Sequence, residues 1–336
     1  MEGAQRESGA QQAPPASVEA AAAPSPVRRS VLKRTGDRAA YVAVMGLWRL
    51  LGALSLQDSR RFLEGVAVLV GRFDRRHRRV VEANLDLAFP GMDSVVRESV
   101  VEASFLNWGR IAAEAVHVDE LVAECRRHKE WRALRVAVKQ GLAGGRGLLV
   151  LTAHTANFEL LARVFGTAIA PVGVFHRPLG IADLDSFVVR ERDRFGVRTL
   201  NRGAAVREAL RILAAGGCVA VPLDQNQRAG HGIFVDVLGH PACTSTALAR
   251  LSVASGAPVL PVFAVWSGPK TTPFIGELIT APPGRPSPAE REGRIRELTA
   301  RYSAEIDRVV RRFPHQWNWA HRRWKTRPPG ESPPSL

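Results

Sequence analysis

The sequence predicts an α/β fold: a central, mostly parallel sheet flanked by helices, with an N-terminal helical membrane-associating segment. Three observations carry this. From Gly147 onward, short apolar runs alternate with stretches of helical periodicity, as in strands joined by crossover helices. The runs at 148–151, 218–223 and 258–265 are almost wholly apolar, as strands covered on both faces are. Glycines close the helical stretches at Gly196, Gly216-Gly217 and Gly256.

The elements follow in order. Residues 1–27 are rich in Ala, Pro, Gln and Ser and cannot bury enough to offset the entropy of ordering. With Arg28, Arg29, Lys33, Arg34 and Arg38 they read as a disordered basic tail over 1–40, without the apolar core of a secretory signal. Residues 41–57 form an apolar helix interrupted by Arg49. Such a helix spans roughly 24 Å, short of a ~30 Å hydrocarbon core, so it is expected to lie in or dip into one leaflet. Burial in a soluble bundle is the other reading. Residues 58–145 read as helical. Phe62, Val66, Leu69 and Val70 make an apolar face, followed by Arg72, Arg75, Arg76, Arg78 and Arg79, either a solvated face or a lipid-phosphate contact. Phe89-Pro90-Gly91 ends that run, and 98–116 carry Phe105, Trp108 and Ile111 on one side.

Residues 146–330 read as the α/β core of a single domain over 41–330. Strands are expected at 148–151, 172–175, 197–200, 218–223 and 259–265. Helices are expected at 182–195, 203–215 and 245–254, with a long final helix at 289–313 after a proline-rich loop at 281–288. Gly230, Gly232 and Phe234 read as a turn and a short strand.

The chain has 336 residues, of which 46% are hydrophobic, enough for a sizeable core. A net charge of +15 implies an anionic partner. No zinc-finger spacing or RNA-binding aromatic signature appears, so nucleic acid is not expected. Cys125, Cys218 and Cys243 follow no metal or disulfide spacing and read as free packing thiols in a reducing compartment; no metal site is expected. There is no phosphate-cradling glycine motif, and Gly141, Gly144, Gly145 and Gly147 read as a loop feeding a strand.

The chemistry concentrates at strand ends. The run Leu148–Leu151 leads to His154, and the spacing Phe158, Leu161, Phe165 starts a helix with Glu159 in its first turn. Ligands of α/β sheets bind at this edge. A neutral imidazole there can take a proton from a hydroxyl, with a carboxylate holding its tautomer. Glu159 also suits the positive end of a helix dipole. Two further strands lead into His176-Arg177-Pro178 and Asp224-Gln225-Asn226-Gln227. A parallel sheet brings His154, Arg177 and Asp224 to one edge: a base, a candidate orienting carboxylate, and a cation for phosphate. The block Gln316-Trp317-Asn318-Trp319-Ala320-His321-Arg322-Arg323-Trp324-Lys325 crowds tryptophans with basic groups, suiting either the headgroup zone or packing on the core.

His154-Thr155-Ala156-Asn157-Phe158-Glu159 resembles the H-x4-D/E motif of lysophospholipid and lipid A acyltransferases. The blocks Arg78–Pro90, His176–Leu179, Pro222–Gln225, Gly232–Pro241 and Gln316–Thr326 resemble, in order, the late acyltransferases of lipid A synthesis, relatives of the phosphatidylinositol mannoside acyltransferases. The resemblance covers about 41–327. It implies a fatty acyl transfer from acyl-ACP or acyl-CoA, as cosubstrate and without cofactor, to a hydroxyl of an anionic membrane glycolipid. The preferred acceptor is a lipid A precursor. A lysophospholipid, mannoside glycolipid or aminolipid acceptor remains open, as does a non-catalytic basic membrane-binding homologue. It further implies His154 as general base paired with Glu159 or Asp224. Asn157, Arg177, Gln225, Arg322 and Arg323 are the expected substrate contacts, and the cytoplasmic face of the bacterial inner membrane is the expected location.

Overall fold

A computed structural model describes residues 31–201, 204–280 and 287–331. Among the described residues six helices precede the first strand: α1 (Val31–Gly52), α2 (Leu56–Phe73), α3 (Arg75–Ala88), α4 (Ser94–Val116), α5 (Val118–Cys125) and α6 (Lys129–Leu142). Their boundaries have local causes. Ser55 accepts from the Asp58 amide to cap α2, and Asp93 accepts from the Val95 and Val96 amides to cap α4. Asp74 caps α3 by accepting from the His77 amide, and α3 stops where Phe89-Pro90-Gly91 begins. Helix α1 starts at Val31, so 31–40 are helical and not part of a tail; the rest of the expected tail, 1–30, lies outside the described residues. Among the described residues no helix is long and apolar enough to cross a membrane.

The α/β part then follows as β1 (Leu148–Thr152), α7 (Phe158–Ala168), β2 (Val172–Phe175), α8 (Ala182–Asp193), β3 (Val197–Leu200), α9 (Ala205–Ala214), β4 (Cys218–Pro222), β5 (Ile233–Val237), β6 (His240–Thr244), α10 (Ala247–Ser255), β7 (Val259–Ser267), β8 (Lys270–Ile275) and α11 (Pro288–Arg312). Six strands form one sheet in the order β3-β2-β4-β1-β7-β8. All its pairings are parallel except β7 with β8. The β5–β6 hairpin stands apart, and β6 and β8 have no counterpart in the expected strands. The expected strands and helices otherwise fall within a few residues of the observed ones; the proline-rich loop lies mostly outside the described residues.

Strand alternation divides the core between the two faces of the sheet. Leu149, Leu151, Val219, Val221 and Phe263 pack on one side with α9, α10 and α11. Leu148, Val150, Leu260 and Val262 pack on the other with α5, α6 and α7. Sealing both faces leaves the carboxyl ends of β1, β2 and β4 as the accessible edge. Gly147 sets the start of β1: its φ is +70°, and a Cβ there would lie 2.7 Å from the Gly217 and Leu213 carbonyl oxygens.

The tryptophan-rich C-terminal block is core, not a headgroup-facing surface. Trp317, Trp319 and Trp324 are 2%, 0% and 1% exposed and pack edge-to-face, with centroids 4.6 Å and 6.3 Å apart. The block is laced to the β1–α7 loop. The Ala156 amide donates to the Gln316 carbonyl at 2.7 Å, and the Asn318 amide to the His154 carbonyl at 3.1 Å. Free, buried Cys125, Cys218 and Cys243 complete the packing.

Candidate active site

His154 follows β1 and Asp224 follows β4. These strands are neighbours in register, with Thr152 opposite Pro222, so their carboxyl ends deliver the two side chains to one place. Asp224 Oδ1 accepts from His154 Nδ1 at 2.8 Å. Its Oδ2 accepts from the His154 backbone amide at 2.9 Å and from Trp317 Nε1 at 2.9 Å. Three donors on one buried carboxylate hold it ionised. Although burial alone would raise its pKa, the His154 charge and these hydrogen bonds drive it well below the usual carboxylate range. The reciprocal effect falls on the imidazole. Burial pushes the His154 pKa down, and the charge and hydrogen bond of Asp224 more than reverse this, leaving it above the ordinary value. With Nδ1–H committed to Asp224, the Nε2 lone pair faces the cleft.

Glu159 is not the partner of that imidazole. It sits in the first turn of α7, and its carboxylate is gripped by Arg163 at 2.7 Å and by Arg192 from α8. Burial works to raise its pKa, but the two guanidinium groups hold it at about 2. The grip extends outward. Arg192 Nη1 donates to His176 Nδ1 at 3.0 Å, and His176 Nε2 donates to Asp185 at 2.7 Å. Of the two carboxylates left open as partners of His154, Asp224 is the one bonded to the imidazole, and Glu159 anchors an arginine cluster beside the site.

Asn157 is also corrected. It is 2% exposed, caps α7 by accepting from the Leu160 amide, and donates to Glu114 Oε2 at 2.7 Å. No substrate can reach it there. Arg323 is 1% exposed and donates to the Cys243 carbonyl and the Thr244 hydroxyl, so it holds the β6 end to the C-terminal block rather than meeting a lipid phosphate. Arg322 is half-buried and does not line the cleft. Arg177 and Gln225 do line it, and both are exposed. The Gln225 side-chain nitrogen lies 3.3 Å from His154 Nε2.

The cleft encloses about 1060 Å³, at the upper end of ligand pockets. Its apolar lining comes from Trp48 of α1, Trp108 and Ile111 of α4, Phe158 of α7 and Phe187 of α8. The same cleft is also lined by His154, Arg177, Gln225 and Arg228, and by the Glu159–Arg192 pair. An apolar channel thus meets a base and cations. Phe158 packs edge-on against His154, with centroids 4.7 Å apart, fixing the ring plane.

Two supporting groups escaped the sequence reading. Glu114, fully buried on α4, accepts from Arg60 Nη2 at 2.7 Å, Arg110 Nε at 2.8 Å and Asn157, tying α2 and α4 to the loop that carries His154. Trp317 supports Asp224. Neither carries a local signature: a glutamate inside a helix and a tryptophan near a terminus have meaning here only through distant partners.

A strand-end imidazole and carboxylate beside an apolar channel suit group transfer to a hydroxyl, and the relatives give the class: the chain is an acyltransferase. It belongs to the bacterial lipid A biosynthesis acyltransferases, whose family pattern matches residues 29–326. The lipid A biosynthesis lauroyltransferase of Escherichia coli strain K12 is 28% identical over 270 residues, covering 79% of this chain and 85% of that protein. The myristoyltransferase of the same organism is 24% identical, covering 79% of this chain and 80% of that protein. A lipid A biosynthesis acyltransferase of Haemophilus influenzae is 22% identical, with 79% and 81% coverage.

Proposed function

We propose that this enzyme moves a fatty acyl chain from an acyl thioester, on acyl carrier protein or coenzyme A, to a hydroxyl of an anionic membrane glycolipid. A lipid A precursor is the preferred acceptor. The observation that carries the reading is the His154–Asp224 pair, with Nδ1 bound at 2.8 Å and Nε2 facing the cleft beside the Gln225 side-chain amide. In this mechanism Nε2 takes the proton of the acceptor hydroxyl as its oxygen attacks the thioester carbonyl. Asp224 stabilises the imidazolium that forms. The tetrahedral oxyanion then collapses, the C–S bond breaks, and the proton on Nε2 passes to the departing thiolate. Atoms balance as ester plus thiol, with no covalent enzyme intermediate.

Several features support the acceptor class. Exposed Arg177 and Arg228 lining the cleft suit phosphate, and the apolar lining suits a fatty chain. Trp48 brings α1 into that lining, while Val42, Leu47 and Leu50 of α1 are 57%, 44% and 70% exposed. An α1 seated in the cytoplasmic leaflet of the inner membrane would open the cleft toward lipid. His154→Ala tests the base. Purified wild type should consume acyl thioester only with acceptor present, and the variant should lose roughly 10²–10⁴-fold of that rate with unchanged thermal unfolding. Full activity in a folded His154→Ala variant would end the proposal. Acylation of lysophospholipid but not of a lipid A precursor would keep the chemistry and remove the acceptor.

A further inference from the structure

Helix α2 packs one side on α4 and leaves an apolar stripe on the other. Its inner side seats on α4 by close backbone approach: a Cβ on Gly109 would meet the Leu63 carbonyl oxygen at 2.3 Å, and one on Gly71 would meet the Phe105 ring at 2.6 Å. Its outer side carries Phe62, Val66, Leu69, Val70 and Phe73, which are 51%, 41%, 55%, 52% and 79% exposed. Their spacing places them on one stripe along the helix. A surface helix normally turns its apolar stripe to the core, and soluble monomers rarely leave such a stripe contiguous and open to water. At the end of that stripe stand exposed Arg72, Arg75, Arg76 and Arg79. The acid among them, Asp74, is already engaged by His77 at 2.6 Å.

We propose that this outer face of α2 docks on an anionic phospholipid leaflet. The five apolar side chains enter the acyl boundary and the four arginines sit on lipid phosphates. Charge complementarity argues for this occupant. Four exposed arginines at the end of the stripe complement the phosphates of an anionic leaflet, and only a parallel pairing of two copies would set the arginine clusters against each other. Position connects the face to the cleft: Gly109 lies at the α2–α4 crossing, and its neighbour Trp108, 43% exposed, lines the cleft. Exposed Leu54 carries the apolar surface of α1 to within two residues of the start of α2. The inference deepens the acyltransferase reading by naming where the enzyme meets its membrane, but docking is measured without turnover.

The test uses the full chain and flotation with vesicles of phosphatidylethanolamine and phosphatidylglycerol, against vesicles of phosphatidylcholine alone. Wild type should partition to the anionic vesicles. A Phe62→Ser/Leu69→Ser/Phe73→Ser variant should lose roughly tenfold or more of that partitioning. An Arg72→Gln/Arg75→Gln/Arg76→Gln variant should lose the preference for anionic over neutral vesicles. A bimane label on Leu69→Cys should be quenched by nitroxide lipids, which reports insertion without trimming the rest of the face. Unquenched bimane, or unchanged partitioning of the serine variant, overturns the proposal. So does a wild-type dimer that the serine variant converts to monomer, which would make the occupant a second copy. Thioester consumption with detergent-dispersed acceptor should survive the serine substitutions. Its absence from wild type that still binds vesicles would count against the acyltransferase reading alone.

Discussion

Asp224→Asn separates the two carboxylates that the motif spacing leaves open. The consequence follows from the three donors on Asp224. Two of them, the His154 amide and Trp317 Nε1, converge on Oδ2 at 2.9 Å each. The asparagine carbonyl oxygen fits that doubly donated position, which turns its NH₂ toward His154 Nδ1. Nδ1 must then accept, the ring proton moves to Nε2, and a donor rather than a lone pair points into the cleft. Loss of the correct tautomer and of the charge that stabilises imidazolium should lower kcat/KM by roughly 10³–10⁴-fold, or about 4–5.5 kcal/mol of barrier. The fold should barely change, because every donor keeps a position to satisfy. The pH profile adds a second readout. In wild type the base must be neutral, so activity should rise with pH through an inflection above the ordinary imidazole value and then level off. In the variant burial is opposed only by the charge of Glu159, the smallest of the causes, so any residual activity should titrate at lower pH. The assay is initial thioester consumption with detergent-dispersed acceptor from acid to alkaline pH, alongside thermal unfolding. A folded Asp224→Asn enzyme within about tenfold of wild type, or a Glu159→Gln enzyme equally crippled, would refute the reasoning.

Two further outcomes follow from the charge networks. A carboxylate whose pKa falls on folding contributes stability above its unfolded pKa and loses it as pH drops through the folded value. Glu159, moved from 4.5 to about 2, should therefore give wild type an advantage of no more than about 3 kcal/mol over Glu159→Gln at neutral pH, shrinking as pH falls below about 4.5. Unfolding midpoints of the two proteins against pH should converge on the acid side, and parallel curves would reject the assignment. Glu114→Ala should destabilise by about 3–5 kcal/mol, because it removes the buried acceptor shared by Arg60, Arg110 and Asn157, with Tm falling by roughly 5–15 °C. A Tm within about 2 °C of wild type would show that Glu114 does not tie α2 and α4 together.

Much of the fold was legible because its signals are local. Apolar runs bounded by glycines marked β1, β2, β3, β4 and β7, since a strand covered on both faces needs no alternation. The unforeseen strands, β6 (His240–Thr244) and β8 (Lys270–Ile275), are short, carry proline and polar residues, and exist by pairing with β5 and β7. The helix start at Val31 was hidden by the basic residues 28–38, whose composition resembles a tail although α1 already runs beneath part of it.

What the sequence by itself determined is the position of His154 at the end of a buried strand, together with the strands ending at Arg177 and Asp224. Periodicity and turn chemistry act over a few residues and need no partner. The tertiary structure alone decided which carboxylate faces the imidazole. Glu159 is five positions from His154, yet its place on α7 turns it to Arg163 and Arg192; Asp224 is 70 positions away and arrives because β4 pairs with β1. The burial of Asn157, Arg323 and the three tryptophans was decided the same way. Side-chain direction is set by which surface packs on which, and that is a property of contacts between segments distant along the chain.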